Sequence, residues 1–432
     1  ILWRSQAGLI FVIDGSHRLS SLIAWVNDDY GDGQFSLEAF DGEIPDEQRQ
    51  IARKARETIN SQIGPYSDYY KALVAKHPDP DIIVKARNLA SRALQIQWID
   101  GDVDTAERSF FNINQQATPI DPTELKLLQK RKNPNCIAAR SIMRAGKGHK
   151  YWHNFSQEIQ ESIETLASSI NRLLFDPIIQ RPIKTLDLPI CDRNNNILTL
   201  VYEFVSFVNN DTKEEDDLTG EATIRSLKRT ERMVQLFSSV APCSYGLHPL
   251  LYCYSNKGNF RPASFYGAIE FIRTLDTNPA ILKSFIEQRK NFEDFIFEND
   301  IAVQRIIDTY RRGLQSARHI SDYYVCVLNL FASGKTSVEV QESILANPKY
   351  QRLKLTFSPE LEVTTGAFNS GNKSEVYIQE AYKKAPRCAI CGGLLHTHSI
   401  SIDHIQRKRD GGLGCVENGQ LTHPYCNTGV KN

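Results

Sequence analysis

Apolar residues recur at helical spacing through most of the chain. From about residue 150 to residue 350 they fall every three or four positions, as in SQEIQESIETLASSINRLLF and in NPAILKSFIEQRKNFEDFIFENDIAVQRIIDTYRRGL. This period predicts amphipathic helices with one apolar face, and such helices pack around a common core. We therefore expect residues 131–363 to form a helical domain.

The beginning of the chain has a mixed pattern. The run LIFVI (Leu9–Ile13) predicts a short buried strand, and Asp14 with Gly15 predicts a tight turn. The following HRLSSLIAWV predicts a helix, because its apolar residues lie three and four positions apart.

A second α/β pattern follows. The alternation of apolar and polar residues in Arg92–Asp100 predicts a strand, and Asp104–Gln116 predicts a helix that Asp104 caps. Asp121 before Pro122 is typical of the N-cap of another helix. These patterns together predict a small α/β domain over residues 1–130.

Two polar stretches interrupt the helical pattern. The acidic segment Asn209–Glu221 predicts a mobile loop between helices. Thr364–Ser374 is rich in Gly, Ser, Thr and Asn, which is typical of a linker. We therefore expect a linker at 364–380 and a separate C-terminal domain at 381–432.

Composition and charge narrow the class of protein. The chain has 432 residues, 41% of them hydrophobic, with 51 basic and 51 acidic side chains. This length predicts several folded domains, and the balanced charge excludes a uniformly basic coat for nucleic acid. No apolar run reaches the roughly 20 residues of a membrane span, so we expect no membrane partner.

The start of the chain carries no recognisable targeting signal. It begins ILWRSQAGLIF, without an initiator Met, a basic region or a cleavage site for secretion. We expect that part of the natural N-terminus is missing and that the protein is cytoplasmic.

The nine cysteines fall into two groups. Five are scattered singly, as is typical of reduced thiols, and these are Cys136, Cys191, Cys243, Cys253 and Cys326. The other four lie in the last 45 residues together with four of the ten histidines. Metal chemistry is therefore expected first at the C-terminus.

Two short knuckles stand at the ends of this tail. Cys388 and Cys391 form a C-x-x-C pair, and His423 and Cys426 form an H-x-x-C pair about thirty residues later. Two knuckles with two ligands each can close a tetrahedral zinc site. The alternative is a set of ordinary buried thiols beside a surface histidine.

Between the knuckles, HSISIDHIQ alternates and predicts a strand with Asp403 and His404 on opposite faces. Asp403 can bind a hard cation while His404 reaches a water molecule, and Asn427 on a short helix from Pro424 can supply a second oxygen ligand. A solvated polar pair is the alternative for Asp403 and His404.

The tail resembles the HNH nuclease family, the ββα-metal fold, in its zinc-stapled branch. The C-x-x-C, D-H-I, G-G, N-x-Q-L and C-N elements carry the resemblance over residues 386–432. It implies that His404 is the general base, that Asp403 and Asn427 hold Mg²⁺ or Mn²⁺, and that Zn²⁺ is structural. It further implies that Asn418 fixes the loop carrying the base, and that the reaction is phosphodiester hydrolysis.

Local charge in the tail favours a nucleic-acid partner. Residues 384–432 contain six basic and three acidic side chains, a local charge of about +3. Arg407, Lys408 and Arg409 follow the candidate base directly, and Lys431 lies near the end. We expect these four residues to contact DNA phosphates, with a solvated turn as the alternative.

A second candidate site follows the first strand. Asp14, Gly15, His17 and Arg18 lie where a helix N-terminus would offer free N–H groups, which favours an anion. The alternative is a structural turn with a solvated arginine.

This segment resembles the ParB/sulfiredoxin-like domain with a DGQQR motif found in GmrSD-type modification-dependent restriction proteins and related phage-defence proteins. A downstream pattern adds to the resemblance, formed by Phe110, Asn114, Thr118, Pro119, Ile120, Glu124 and Leu125. The resemblance implies nucleotide binding or hydrolysis at the Asp14–Arg18 segment, coupled to action on foreign DNA.

The combined expectation is a multidomain, mostly α protein. It would comprise a small α/β ParB-like domain that lacks its N-terminal part, a helical middle domain and a zinc-stapled HNH domain. We expect a metal-dependent endonuclease acting on DNA, including modified phage DNA, in a modification-dependent or NTP-gated defence system. The alternatives are a non-catalytic zinc-stapled regulator that binds DNA or nucleotide, and an RNA-directed or nicking enzyme. A homodimer is compatible with double-strand cleavage.

Overall fold

A computed structural model describes most of the chain. The described residues are 1–4, 8, 10–39, 44, 46–101, 105–106, 109, 126–127, 129–147, 150–193, 197–209, 215–310, 313–355 and 368–431. They divide into an N-terminal unit, residues 1–122, and a C-terminal unit, residues 123–432. This boundary lies earlier than residue 130, and the cysteine-rich tail belongs to the same unit as the helices.

Three short strands form the sheet of the N-terminal unit. The central strand β1 (Leu2–Arg4) pairs antiparallel with β2 (Ile10–Val12) and parallel with β3 (Trp98–Ile99). The indole nitrogen of Trp3, which is buried, donates to the carbonyl of Gly101 at 3.0 Å.

Two of the predicted strands differ in burial or length from the strands of this sheet. The predicted strand at Leu9–Ile13 exists as β2, but β2 is an edge strand, and Ile10 and Val12 are 54% and 39% exposed. The expectation of a buried strand is therefore wrong. The predicted strand Arg92–Asp100 shortens to two residues, because the three residues of β1 offer few backbone groups for pairing.

The described part of the N-terminal unit also contains helices. They are α1 (Ser16–Asn27), α2 (Gln34–Ala39), α3 (Asp46–Gln62), α4 (Tyr66–Val74) and α5 (Pro80–Ala90). The helix predicted after Gly15 is confirmed as α1, although none of its residues is buried. Of the predicted helix at Asp104–Gln116, the described residues 105, 106 and 109 are helical. The downstream pattern from Phe110 to Leu125, with Asp121 and Pro122, lies outside the described residues.

The C-terminal unit confirms the helical prediction. Its helices are α6 (Pro134–Met143), α7 (Gln157–Phe175), α8 (Ile197–Asn209), α9 (Glu221–Phe237), α10 (Pro249–Cys253), α11 (Pro262–Thr277), α12 (Pro279–Glu298), α13 (Asp300–Thr309), α14 (Ala317–Ala332), α15 (Ser337–Ala346), α16 (Pro348–Gln351) and α17 (Ser370–Lys384). None of the described helices is both long and apolar enough to cross a membrane.

Asn-Pro pairs start several of these helices. Asn133, Asn278 and Asn347 are N-caps whose side chains accept hydrogen bonds from the first turn, and a proline follows each of them. Proline fits the first helical position because its missing N–H would have no partner there.

The core of the C-terminal unit is aromatic. Phe271 of α11 lies 5.6 Å from Phe285 of α12 and 5.4 Å from Tyr324 of α14, measured between ring centroids. These rings meet edge to face, an arrangement that stabilises aromatic pairs beyond the area they bury. Helix α12, which is packed in this core, also reaches the cysteine-rich tail.

Both polar stretches contain ordered residues. In the acidic segment, the buried Asp217 accepts hydrogen bonds from the backbone of Gly220 at 2.8 Å and of Thr223 at 2.7 Å. The described part of that loop is therefore fixed at the start of α9, contrary to the expectation of mobility. In the predicted linker, residues 370–380 are helical and belong to α17, whose Ile378 is buried in the core.

Several hydrogen bonds join the tail to the helical part of the C-terminal unit. Arg387 donates to Asp294 of α12 at 2.7 Å, and the backbone N–H of Thr397 donates to Asp187 at 3.0 Å. At the far end, the backbone N–H of Tyr425 donates to the carbonyl of Ser244 at 3.1 Å. The tail contains the antiparallel hairpin β4 (Ser401–His404) and β5 (Gly419–Thr422), followed by a helical turn from Pro424 that becomes π-helical at Cys426–Val430.

Candidate functional site

The two predicted knuckles meet in the structure. Cys388, Cys391, His423 and Cys426 are all buried, and one ligand atom from each lies within 4.8 Å of the others. Among the described residues, this is the one group of three or more Cys, His, Asp or Glu side chains placed to hold a metal ion.

Local backbone contacts shape both knuckles. The first closes because the N–H of Cys388 donates to Gly393 at 2.9 Å and the N–H of Gly392 donates to Cys388 at 2.8 Å. The second lies in the helical turn after β5, where the N–H of Asn427 donates to the carbonyl of His423 at 3.0 Å. The N–H of Ala389 joins the knuckles by donating to Leu421 of β5 at 2.9 Å.

The orientation of the His423 ring leaves one nitrogen for a metal. Its Nε2 lies 3.1 Å from the carbonyl oxygen of Leu394, which can only accept, so Nε2 carries the proton. Its Nδ1 faces the sulfurs, 3.3 Å from Cys391 and 3.9 Å from Cys426. A ligating histidine commonly donates its second nitrogen to a backbone carbonyl in this way.

A buried ion pair of α12 contacts the cluster through His423. Arg289 and Glu293 are 2% and 0% exposed at the side chain and 2.7 Å apart. Arg289 donates to the carbonyls of Tyr245 and Gly246 at 2.7 Å each, and Nη1 lies 3.2 Å from His423 Nδ1. Although burial opposes it, the pKa of Arg289 is raised by Glu293 and by the thiols.

The ion pair and the knuckles share backbone contacts. The second oxygen of Glu293 accepts the N–H of Leu394 at 2.7 Å, and the carbonyl of Leu394 accepts from His423. Gly246 has no room for a side chain, because a Cβ there would collide with the His423 ring. The helical unit therefore holds the histidine from two sides.

The charges of the donor set fit a divalent cation. Hydrogen bonds with Cys391 and Cys426 lower the pKa of Cys388, against the opposing effect of burial, whereas hydrogen bonds with Cys388 and Cys391, together with burial, raise the pKa of Cys426. Three sulfurs and one imidazole nitrogen are a donor set that zinc prefers, so the cluster could hold a metal such as zinc.

The hairpin of β4 and β5 carries Asp403 and His404. Asp403 pairs with Gln420 and His404 with Gly419 across the two strands. Alternation turns Asp403 inward, where it is 6% exposed, while the His404 side chain is half-buried. Among the described residues, the His404 imidazole has no hydrogen-bond partner.

Asp403 already lies beside a positive group. Its Oδ2 accepts from Gln420 at 2.7 Å and from the ammonium of Lys431 at 2.6 Å. The ammonium also contacts the carbonyl of His404. Lys431, predicted to contact DNA, is only 16% exposed at the side chain, so the structure places its charge on Asp403 and away from solvent.

Asn427 lies against the same strand. Its Nδ2 donates to Ser401 Oγ at 2.8 Å and is 3.3 Å from the carbonyl of Ile402. The amide is half-buried, and its nitrogen points to the strand that carries Asp403.

Asn418 closes the loop between the two strands. Its Oδ1 accepts the N–H of Gln406 at 2.7 Å, and its Nδ2 donates to Gln406 at 3.1 Å and to Leu413 at 2.7 Å. Gly412 leaves no space for a Cβ against Gln406 and Asn418. The loop after His404 is therefore fixed by one side chain at three backbone atoms.

The basic turn lies within this loop. Lys408 and Arg409 are exposed and Arg407 is half-buried. Lys408–Asp410 form a 3-10 turn with no buried residue, so the two exposed cations face solvent.

The N-terminal candidate site has a different character. Gly15 is the N-cap of α1, and Arg18 donates to Asp14 at 3.0 Å. The side chains of this pair are 80% and 38% exposed, and His17 is also exposed. The structure brings the four predicted residues into one turn, with the arginine in solvent.

Sequence reasoning missed Arg289, Glu293 and Gly246. The spacing of Arg289 and Glu293 is that of a surface ion pair on an amphipathic helix, and nothing nearby in sequence marks them. Gln420 was part of a recognised motif but was not predicted to touch Asp403.

Comparison of this chain with protein-family models, with curated proteins and with solved structures gave no match.

Proposed function

We propose that this protein is a metal-dependent endonuclease of the HNH type, whose tail hydrolyses phosphodiester bonds in DNA. The observation that supports the proposal is that Asp403 and His404 lie on one strand, β4, and that Asn427 on the helical turn after β5 donates to Ser401 of the same strand. The buried Cys/His cluster, which we propose holds structural Zn²⁺, anchors both elements.

The proposed roles follow from burial and contacts. His404 acts as general base, because its unpartnered, half-buried imidazole can accept a proton from water. Asn418 fixes the loop behind His404 through the backbone of Gln406 and Leu413. Arg407, Lys408 and Arg409 attract the DNA backbone next to the base.

Asp403 and Asn427 are the proposed ligands of the catalytic cation. The carboxylate of Asp403 lies 2.6 Å from the Lys431 ammonium, which supports a site where positive charge is stabilised. Asn427 presents an amide on the adjacent helical turn. When bound, Mg²⁺ or Mn²⁺ would stabilise the charge that develops on the scissile phosphate and the leaving oxygen.

The wider role is proposed from the resemblances. An N-terminal unit that senses NTP or modified phage DNA would gate the nuclease in a cytoplasmic defence system. The exposed Asp14–Arg18 turn, with Gly15 and His17, is the proposed sensing segment.

Cleavage of plasmid DNA tests the nuclease. The assay compares wild type with His404→Ala and with the matched control His153→Ala, which alters an exposed histidine of the same unit. Each protein is incubated with Mg²⁺ or Mn²⁺ and with unmodified or phage-modified DNA, with and without NTP. We expect cleavage by wild type and the control, and a loss of at least about 100-fold in His404→Ala.

The alternative function is a zinc-stapled binding module without catalysis. The exposed Lys408 and Arg409 favour it, because they can bind phosphates whether or not a bond is cut. Binding of DNA by both wild type and His404→Ala, without cleavage of any substrate, would replace the nuclease proposal with this one.

A further inference from the structure

The N-terminal unit contains an open cavity. Its lining residues fall between positions 32 and 56, after the Asp14–Arg18 turn in the sequence. Its volume is about 480 Å³, within the usual range for small-molecule sites. The residues that line it are Asp32, Leu37, Ile44, Arg49, Arg53 and Arg56.

Helix α3 supplies the positive wall of this cavity. Arg49, Arg53 and Arg56 are four and three residues apart, which places them on one face of the helix. Ala52, three residues after Arg49 and four before Arg56, lies beside them on the helix and is fully buried. The cavity therefore faces a row of three guanidinium groups.

The hydrogen-bond donors of Arg56 are used within the protein. It binds both oxygens of Asp32, at 2.9 and 2.6 Å, and Oδ1 of Asp28 at 2.8 Å. Its remaining contact is the carbonyl of Asp28 at 3.0 Å. Arg56 is thus fully paired, and together with Asp28 and Asp32 it forms a group with one net negative charge.

Arg49 and Arg53 carry charge that the described residues do not neutralise. Arg49 uses Nε to donate to the carbonyl of Ile44 at 3.1 Å, which leaves its two terminal nitrogens for a ligand. Arg53 is exposed and has no hydrogen-bond or ion-pair partner among the described residues. Among the described residues, the cavity therefore presents two guanidinium groups without a carboxylate partner, and their fork geometry suits phosphate oxygens.

Leu37 and Ile44 form the apolar part of the cavity lining, and hydrogen bonds fix the turn before α2. Ile44 is 4% exposed and Leu37 is 40% exposed, so the cavity offers a hydrophobic surface beside the arginines. Asp29 accepts hydrogen bonds from the backbone of Gly33 at 3.0 Å and of Ser36 at 3.0 Å. These bonds hold the turn before α2 in place.

From the unpaired Arg49 and Arg53 beside the apolar wall of Leu37 and Ile44, we propose that this cavity binds a small phosphorylated ligand of nucleotide size. The phosphate lies on the two arginines, and the apolar part of the ligand contacts Leu37. This site is distinct from the Asp14–Arg18 turn, where the arginine already pairs with an aspartate. It does not depend on nuclease activity in the tail.

Calorimetric titration of the full chain with inorganic phosphate, ATP, GTP and a short DNA duplex tests the proposal. The variants are Arg49→Gln/Arg53→Gln, the charge-retaining Arg49→Lys/Arg53→Lys, and the control Lys54→Gln, an exposed lysine of α3 outside the cavity. We expect a nucleotide to bind wild type more tightly than inorganic phosphate does, since phosphate lacks the apolar contact.

In the double glutamine variant, binding weakens by at least about tenfold, because charge-assisted hydrogen bonds are lost. The double lysine variant has intermediate affinity and Lys54→Gln matches wild type, while circular dichroism shows unchanged helix content in all three. The proposal is overturned if no nucleotide binds, if the double glutamine variant binds as wild type does, or if only the duplex binds. Equal loss of binding in Arg18→Ala would move the site to the Asp14–Arg18 turn.

Discussion

The Cys/His cluster and the Asp14–Arg18 turn were both found as short motifs, but the structure treats them differently. All four side chains of the cluster are buried, and Arg289 and Glu293 of α12 pack around it. In the turn, the side chain of Arg18 is 80% exposed, and its partner Asp14 lies four residues away.

The difference teaches how a motif is tied to its fold. A buried polar group must have partners, because an unpaired one loses the hydrogen bonds that water would give. The cluster therefore depends on residues more than a hundred positions away in sequence, such as Arg289. The turn is largely solvated and depends on its neighbours alone.

The sharpest way to test this contrast is to remove the metal ligands. We expect Cys388→Ser, or treatment with a chelator, to lower the free energy of unfolding of the C-terminal unit by more than about 3 kcal/mol. Zinc content measured by mass spectrometry and urea unfolding check the result. Cys415→Ser, an exposed cysteine of the same tail, is the control and should change stability by less than about 0.5 kcal/mol.

The second test removes the guanidinium behind the cluster. Arg289→Met should destabilise the C-terminal unit by about 3 to 5 kcal/mol, because it leaves Glu293 buried without its partner. The double variant Arg289→Met/Glu293→Leu should recover part of this loss in urea unfolding. Equal stability of wild type and Arg289→Met would show that the ion pair does not support the tail.

The third test uses pH. Burial, with a contribution from His398, lowers the pKa of His396 from its ordinary 6.5 to about 4, against the opposing effect of Asp187. The unfolded chain then binds a proton that the folded chain does not. Stability from this group is therefore complete above about pH 6.5 and is lost as pH falls toward 4, by on the order of 3 kcal/mol.

A variant isolates this titration from other acid effects. His396→Gln keeps a donor near the carbonyl of Leu188 but cannot titrate, so its unfolding free energy should depend less on pH between 6.5 and 4 than that of wild type. His153→Gln, at an exposed position, should keep the wild-type slope. Parallel curves for wild type and His396→Gln would contradict the prediction.

The smallest effect is expected in the turn. Arg18→Ala should change the stability of the N-terminal unit by less than about 1 kcal/mol, because solvent screens an exposed ion pair. Thermal unfolding followed by tryptophan fluorescence measures this change. If Arg18→Ala lowered the free energy of unfolding as much as Arg289→Met does, the Asp14–Arg18 turn would depend on the surrounding fold as strongly as the Cys/His cluster does.

Much of the local structure could be predicted from local pattern. The helical period over residues 156–175 became α7, and the alternation around Ile402 became β4 with Asp403 turned inward. Spacing was enough because each pattern expresses the geometry of one element. It was insufficient for β2 and for residues 370–380, where burial or helix formation depends on what packs nearby.

The amino-acid sequence by itself determined which side chains can ligate: two knuckles with the right spacing, and an aspartate and a histidine on opposite faces of one strand. Only the tertiary structure decided what surrounds them. It put Lys431 on Asp403 and the Arg289–Glu293 pair against His423. The physical reason is that ligand type and local geometry are carried by neighbours in sequence, whereas burial and charge compensation arise only when distant segments pack together.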